Sequence, residues 1–159
     1  MRLNKHAYWP IAAALVLAAA AIFAYHPYFA HAKVSEPAYL GSLPRGTITI
    51  ASQQYTVLLA LNGSAWQQGL MNASESDLLQ SGAIGMLFVF PSNSVQCFWM
   101  ENTPMRLRQA WIANNTMAYV YNATPYSTAP VCHYGDYVLE VPTSYNITLH
   151  SGSRTALQN

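Results

Sequence analysis

The side chains best suited to chemistry lie at Trp99, Glu101 and Asn102, with Glu140 much later in the chain. Two carboxyl groups held close together split their pKa values, so that one acts as an acid and the other as a base. Glu101, Asn102 and Glu140 are therefore a candidate catalytic set of hydrolase type. The rival reading is a binding site. Trp99 would offer flat apolar area, and Glu101, Asn102 and Arg108 would offer polar contacts. A blander reading makes Asn102-Thr103 a turn and leaves both glutamates solvated or paired with Arg106 and Arg108. No Gly-x-Ser-x-Gly elbow and no familiar Cys–His pairing supplies a nucleophile.

Cys97 and Cys132 are the only cysteines. A bridge between them would stabilise the fold by about 3–4 kcal/mol in the chain-entropy account. Left as thiols, they join Met100, His133, Met71, Met86 and Met105 as soft ligands that suit Cu(I). No Cys-x-x-Cys zinc spacing occurs, and methionines in an apolar chain ordinarily fill the core. No metal or cofactor is expected. Eleven tyrosines and four tryptophans either fill a core or line a face for sugar or peptide.

The elements that must position these groups read as strands. Residues 86–90 and 97–100 are two apolar runs around Pro91-Ser92-Asn93-Ser94, the pattern of a buried hairpin. Residues 47–50 and 55–61 form a strand pair, with Tyr55, Val57, Leu59 and Leu61 on one face. Residues 106–113 and 117–121 are joined at Asn114-Asn115, which tolerates turn geometry. Residues 137–141 and 146–150 make the last pair. One short helix is expected over residues 74–81, capped by Ser74 and closed by Gly82. The fold class is mainly β, a single antiparallel sandwich with one short helix. Residues 153–159 read as a frayed tail.

Four blocks in this order carry a resemblance: Gly69-Leu70-Met71, Gly85 to Pro91, Phe98-Trp99-Met100 with Asn102-Thr103, and Tyr137 to Pro142. They resemble the domain of unknown function 192 family. The resemblance implies a small jelly-roll-like β domain, often exported, over about residues 46–152, and implies no activity. It also implies charges that this chain lacks. Trp66 and Ala73 stand where relatives usually have Arg, and Arg108 stands where they usually have Asp. Loss of those charges favours a non-catalytic module that binds a small ligand, a glycan or an envelope partner.

Export has its own support. Arg2 and Lys5 precede an uncharged apolar run over residues 7–25, long enough to span a bilayer. Positive flanks stay inside, so residues 1–6 are cytoplasmic and everything after Tyr25 lies outside, on a tether over residues 26–45. The alternative is a signal peptide cleaved after Ala30-His31-Ala32. Asn62, Asn72, Asn114, Asn122 and Asn146 each begin an Asn-x-Ser/Thr glycosylation pattern, pointing to an archaeal or eukaryotic host. From Lys33 onward there are five cations (Lys33, Arg45, Arg106, Arg108, Arg154) against six acidic residues, a net of −1. That balance offers no basic face to nucleic acid. Alkaline carbonate extraction with intact-mass measurement checks the anchor. The expected result is a membrane-retained chain that keeps its first residues, whereas a soluble chain beginning at Lys33 would show cleavage.

Overall fold

The computed structural model describes residues 38–158. The expected membrane segment and most of the tether lie outside them. Among the described residues, no helix is long and apolar enough to cross a membrane.

In chain order, the elements are α1 (Ala38–Ser42), β1 (Arg45–Ile50), β2 (Gln53–Ala60), α2 (Gly63–Gln68), α3 (Glu75–Ser81), β3 (Met86–Phe98), β4 (Leu107–Ala113), β5 (Thr116–Ala123), β6 (Val131–Pro142) and β7 (Thr155–Gln158). The strands form one seven-stranded sheet in the order β5-β4-β6-β3-β2-β1-β7. β2 and β3 run parallel, and every other neighbouring pair is antiparallel. The expected antiparallel sandwich is thus replaced by a single mixed sheet. Its two ends curl toward each other, and Thr116 of β5 bridges Arg154, just before β7.

The sheet has two buried faces. One packs Ile48, Val57, Leu87, Ala110, Ile112, Leu139 and Val141 together with Ile147 and Leu149. The other carries Leu58, Met86, Phe88, Leu107, Trp111 and Val138 under Leu40, Ala65 and Leu78 of the three helices. Strands buried on both faces lose the polar alternation of a one-sided sheet. Hence β4 is buried on both sides over Gln109 to Ile112, and polar Gln109 is buried along with its apolar neighbours.

Several local expectations hold. α3 is a capped helix: Asp77 N–H donates to Ser74 Oγ at 3.3 Å, and Ser74 N–H donates back to Asp77 Oδ2 at 2.7 Å. Gly82 closes it in the left-handed region at φ 72°. Asn114 and Asn115 take φ of 50° and 57°, the geometry of a two-residue hairpin.

Others are corrected. Residues 86–98 are one strand, not a hairpin. Pro91 has no amide to give to a ladder, and the segment bulges outward without reversing. Between Val89 and Ser94 the chain takes five steps along β3 against two along β6. The expected strand over residues 146–150 is an irregular segment that buries Ile147 and Leu149. The expected tail is β7, paired with β1. The folded unit also begins before residue 46, because α1 buries Leu40 and Leu43 follows it into the core.

β3 begins at a tight approach to β6. A Cβ on Gly85 would lie 2.0 Å from the Glu140 carbonyl oxygen and 3.2 Å from Val141 Cα. Backbone cannot yield as a side chain does, so Gly85→Ala is expected to destabilise by about 3 kcal/mol. Gly63→Ala, which meets open space, is expected to change stability by less than about 0.5 kcal/mol. Urea unfolding of both variants checks the contrast.

Candidate functional site

A cleft of about 640 Å³ opens between α2, the turn after it, and the sheet. Trp66, Gln67 and Gln68 of α2 line one side, followed by Gly69, Leu70 and Met71. Phe88, Phe90, Gln96, Cys97 and Phe98 line it from β3, Glu140 from β6, and Trp99 and Thr103 from the segment after β3.

Each wall has a visible cause. Asn62 caps α2 by accepting from Ala65 N–H at 3.0 Å, and Trp66 Nε1 donates to the Ala60 carbonyl at 2.9 Å. These bonds place the Trp66 ring 5.1 Å from that of Phe90. Phe88 and Phe98 meet edge to face at 4.7 Å, and Phe98 meets Trp111 at 5.8 Å. Trp111 is buried and donates Nε1–H to the Gln96 carbonyl at 2.9 Å, anchoring the outer half of β3. Asn72 N–H donates to the Asn102 carbonyl at 2.8 Å, which ties the far lip to the turn after α2.

The chemistry centres on Glu140. It is only 4% exposed and faces Gln109 directly across the β4–β6 ladder. Gln109 Nε2 donates to Glu140 Oε1 at 2.9 Å. Burial penalises the ionised carboxyl and pushes its pKa up from 4.5 to about 7, while the Gln109 bond pulls in the opposite direction. Among the described residues that line the cleft, Glu140 is the only carboxylate, and no Lys, Arg or His joins it.

The structure brings together only part of the expected set. Trp99 lines the cleft and stays half-exposed. Glu101 does not line it, so the expected Glu101–Glu140 pair does not share it. Asn102 is an exposed turn residue at φ 53°, a conformation asparagine tolerates. Arg108 leaves the site altogether: its guanidinium donates to the carbonyls of Ile147, Tyr145 and Thr143.

Cys97 and Cys132 are bonded to each other, directly opposite in the β3–β6 ladder with Cα atoms 4.1 Å apart. That consumes both thiols of the Cu(I) set, and Met86, Met100 and Met105 are core residues. Among the described residues, no group of three or more His, Cys, Asp or Glu could hold a metal. All five candidate glycosylation asparagines are exposed. Asn62 is the helix cap already described, and Asn72 and Asn114 occupy left-handed turns at φ 60° and 50°.

The family profile of DUF192, described only as an uncharacterised ACR, matches residues 46–154. The chain belongs to the DUF192 family. No curated protein matches it. Its fold is similar to that of a candidate transcription regulator from Sinorhizobium meliloti 1021. The two are 29% identical over 73% of this chain and 95% of that one, with a TM-score of 0.62. It is also similar to a protein of unknown function from Novosphingobium aromaticivorans. That pair is 21% identical over 72% of this chain and 84% of the other, with a TM-score of 0.57.

In this DUF192 domain, Trp66 forms part of the cleft wall and Ala73 is buried at 1% exposure. Arg108 fastens the segment after β6. The residues missed from sequence are Trp66, Phe88, Phe90, Phe98 and the three glutamines. Their types and burial resemble ordinary core and surface, and only the α2–sheet geometry gathers them. The DUF192 relatives' Gly-Leu-Met block was the available signal, because it forms the turn that rims the cleft.

The raised pKa of Glu140 makes a stability prediction. Between pH 4.5 and about 7 the folded chain holds a proton that the unfolded chain has lost. Stability therefore falls as pH rises through that window and levels above it, by on the order of 3 kcal/mol in total. Chemical unfolding at a series of pH values is expected to show this slope in the wild type and to lose it in Glu140→Gln.

Proposed function

We propose that this DUF192 domain is a non-catalytic module that binds a small organic ligand outside the cytoplasmic membrane. The carrying observation is an aromatic-walled cleft of about 640 Å³ with one buried carboxyl and a few neutral amides. Ligand sites of about 300–1,000 Å³ have this character: mostly apolar lining, with few polar groups that fix orientation. A hydrolase of the Glu101/Asn102/Glu140 type needs two carboxyl groups at one centre. Only Glu140 lines the cleft. The description of the Sinorhizobium protein invites a nucleic-acid role. Four arginines, Arg45, Arg106, Arg108 and Arg154, are the described Lys/Arg cations, and Arg108 is engaged with backbone. That is weak footing for a polyanion.

The external placement rests on the apolar run at residues 7–25 behind Arg2 and Lys5, whether it is kept as an anchor or cleaved. A disulfide at an exposed cross-strand position agrees with an oxidising compartment. We read the five exposed asparagines as carrying glycans, which would wet a surface with few charges and shield the sheet edges.

Quenching of tryptophan fluorescence in the full chain tests the binding reading, using a panel of amines, neutral alcohols and oligosaccharides. Saturable quenching is expected for at least one class. Trp99→Ala should weaken it about tenfold with little change in melting temperature, because the ring is half-exposed. Mass spectrometry should recover the ligand unchanged. Absence of saturable quenching across the panel, or formation of product, would overturn the reading.

A further inference from the structure

The cleft holds an acid with no opposite charge beside it. Glu140 sits on β6, with Met86 opposite on β3 and Gln109 opposite on β4. Gln109 is its hydrogen-bond donor, and Met100 lies against that amide at 3.7 Å. All three neighbours are uncharged, and no cation lines the cleft among the described residues. Taking a carboxylate out of water is costly unless a cation or several donors replace the water. Here one amide does so. A positive group entering from outside would complete the site.

The walls favour the same guest. Trp66, Phe88, Phe90, Phe98 and Trp99 all line the cleft. The electron-rich faces of aromatic rings attract cations, and weakly hydrated alkylated ammonium ions benefit most. We propose that the cleft binds a free organic ammonium ion, with Glu140 as its counter-ion and the aromatic rings as its walls. This rests on the ligand-binding reading and adds the charge and class of the ligand. A volume of about 640 Å³ exceeds what a trimethylammonium head needs, which leaves room for a further group on the guest. Sugars could use the glutamine amides but bring no charge to Glu140. Anionic guests would meet that carboxyl with no compensating cation. A phospholipid head group carries the ammonium together with a phosphate, for which the cleft offers no partner.

Calorimetry on the full chain in detergent at about pH 8.5, where Glu140 is ionised, tests the proposal. The probes are choline, its neutral isostere 3,3-dimethylbutan-1-ol, phosphocholine and a maltooligosaccharide. Choline is expected to bind about tenfold tighter than the isostere. Glu140→Gln should erase that preference while keeping the isostere's affinity, and the retained affinity shows that the variant is folded. Trp99→Ala should weaken both. Equal binding of choline and isostere, or a preference that survives Glu140→Gln, would overturn the ammonium assignment and leave the binding reading standing. Phosphocholine binding tighter than choline would overturn the free-cation assignment. Failure of all four probes to bind would count against the binding reading itself.

Discussion

Two long antiparallel strands, Met86–Phe98 and Val131–Pro142, lie side by side at the centre of the sheet, and their ladder is the constraint on which the other elements depend. It sets which side chains go to which face. Met86, Phe88 and Glu140 share the helix-covered face, while Leu87, Leu139 and Val141 pack on the other. A slip of one residue would exchange the two sets, placing Glu140 in an apolar core and Leu139 at the cleft. Gly85 at one end and the Cys97–Cys132 bond at the other hold the register. The bulge between them lets the strand bend without losing the pairing beyond it. Phe88 reaches the cleft from before the bulge, Phe90 from within it and Phe98 from beyond it.

What could be read from the chain follows from how local each signal was. The α3 caps and the Asn114-Asn115 turn involve neighbouring residues whose own chemistry favours the geometry, and both were legible. The pairing of β1 with β2 was legible too, but the geometry of its Ala51-Ser52 turn was not. Both residues take positive φ, 48° and 69°, although neither type favours it. Closure of the β1–β2 ladder imposes that conformation from outside. β7 carries no local signal for a related reason: four residues of no special pattern become a strand because β1 offers an unpaired edge. Pro91-Ser92-Asn93-Ser94 is ambiguous in sequence because a turn and a bulge use the same residue types. The long partner that separates the two cases lies some forty residues downstream.

The site divides along the same line. Glu140 and Trp99 were legible as chemistry-bearing residues beside apolar runs, and both line the cleft. Glu101, Asn102 and Arg108 are close in sequence, and the fold disperses them. Asn102 bends the chain, and Arg108 points to the opposite face because β4 alternates. Gln109, one residue later, has no motif of its own, yet the same alternation makes it the partner of Glu140.

A carboxyl at position 140 is costly to the fold. An apolar residue of similar volume beside Met86 and Met100 would remove a desolvation penalty of a few kcal/mol at neutral pH. Gln109 would then be left unpaired and would itself need replacement. The pair makes physical sense as a unit: an amide that fixes the orientation of one carboxyl oxygen and leaves the group facing a cavity. A purely structural role would be served better by burying the carboxyl away from the cavity or giving it an arginine. Arg108 lies next to Gln109 on β4, and alternation sends it to the other face. The negative charge is therefore kept available to the cleft by the pleat of β4, and the stability given up there is consistent with a site that something else must complete.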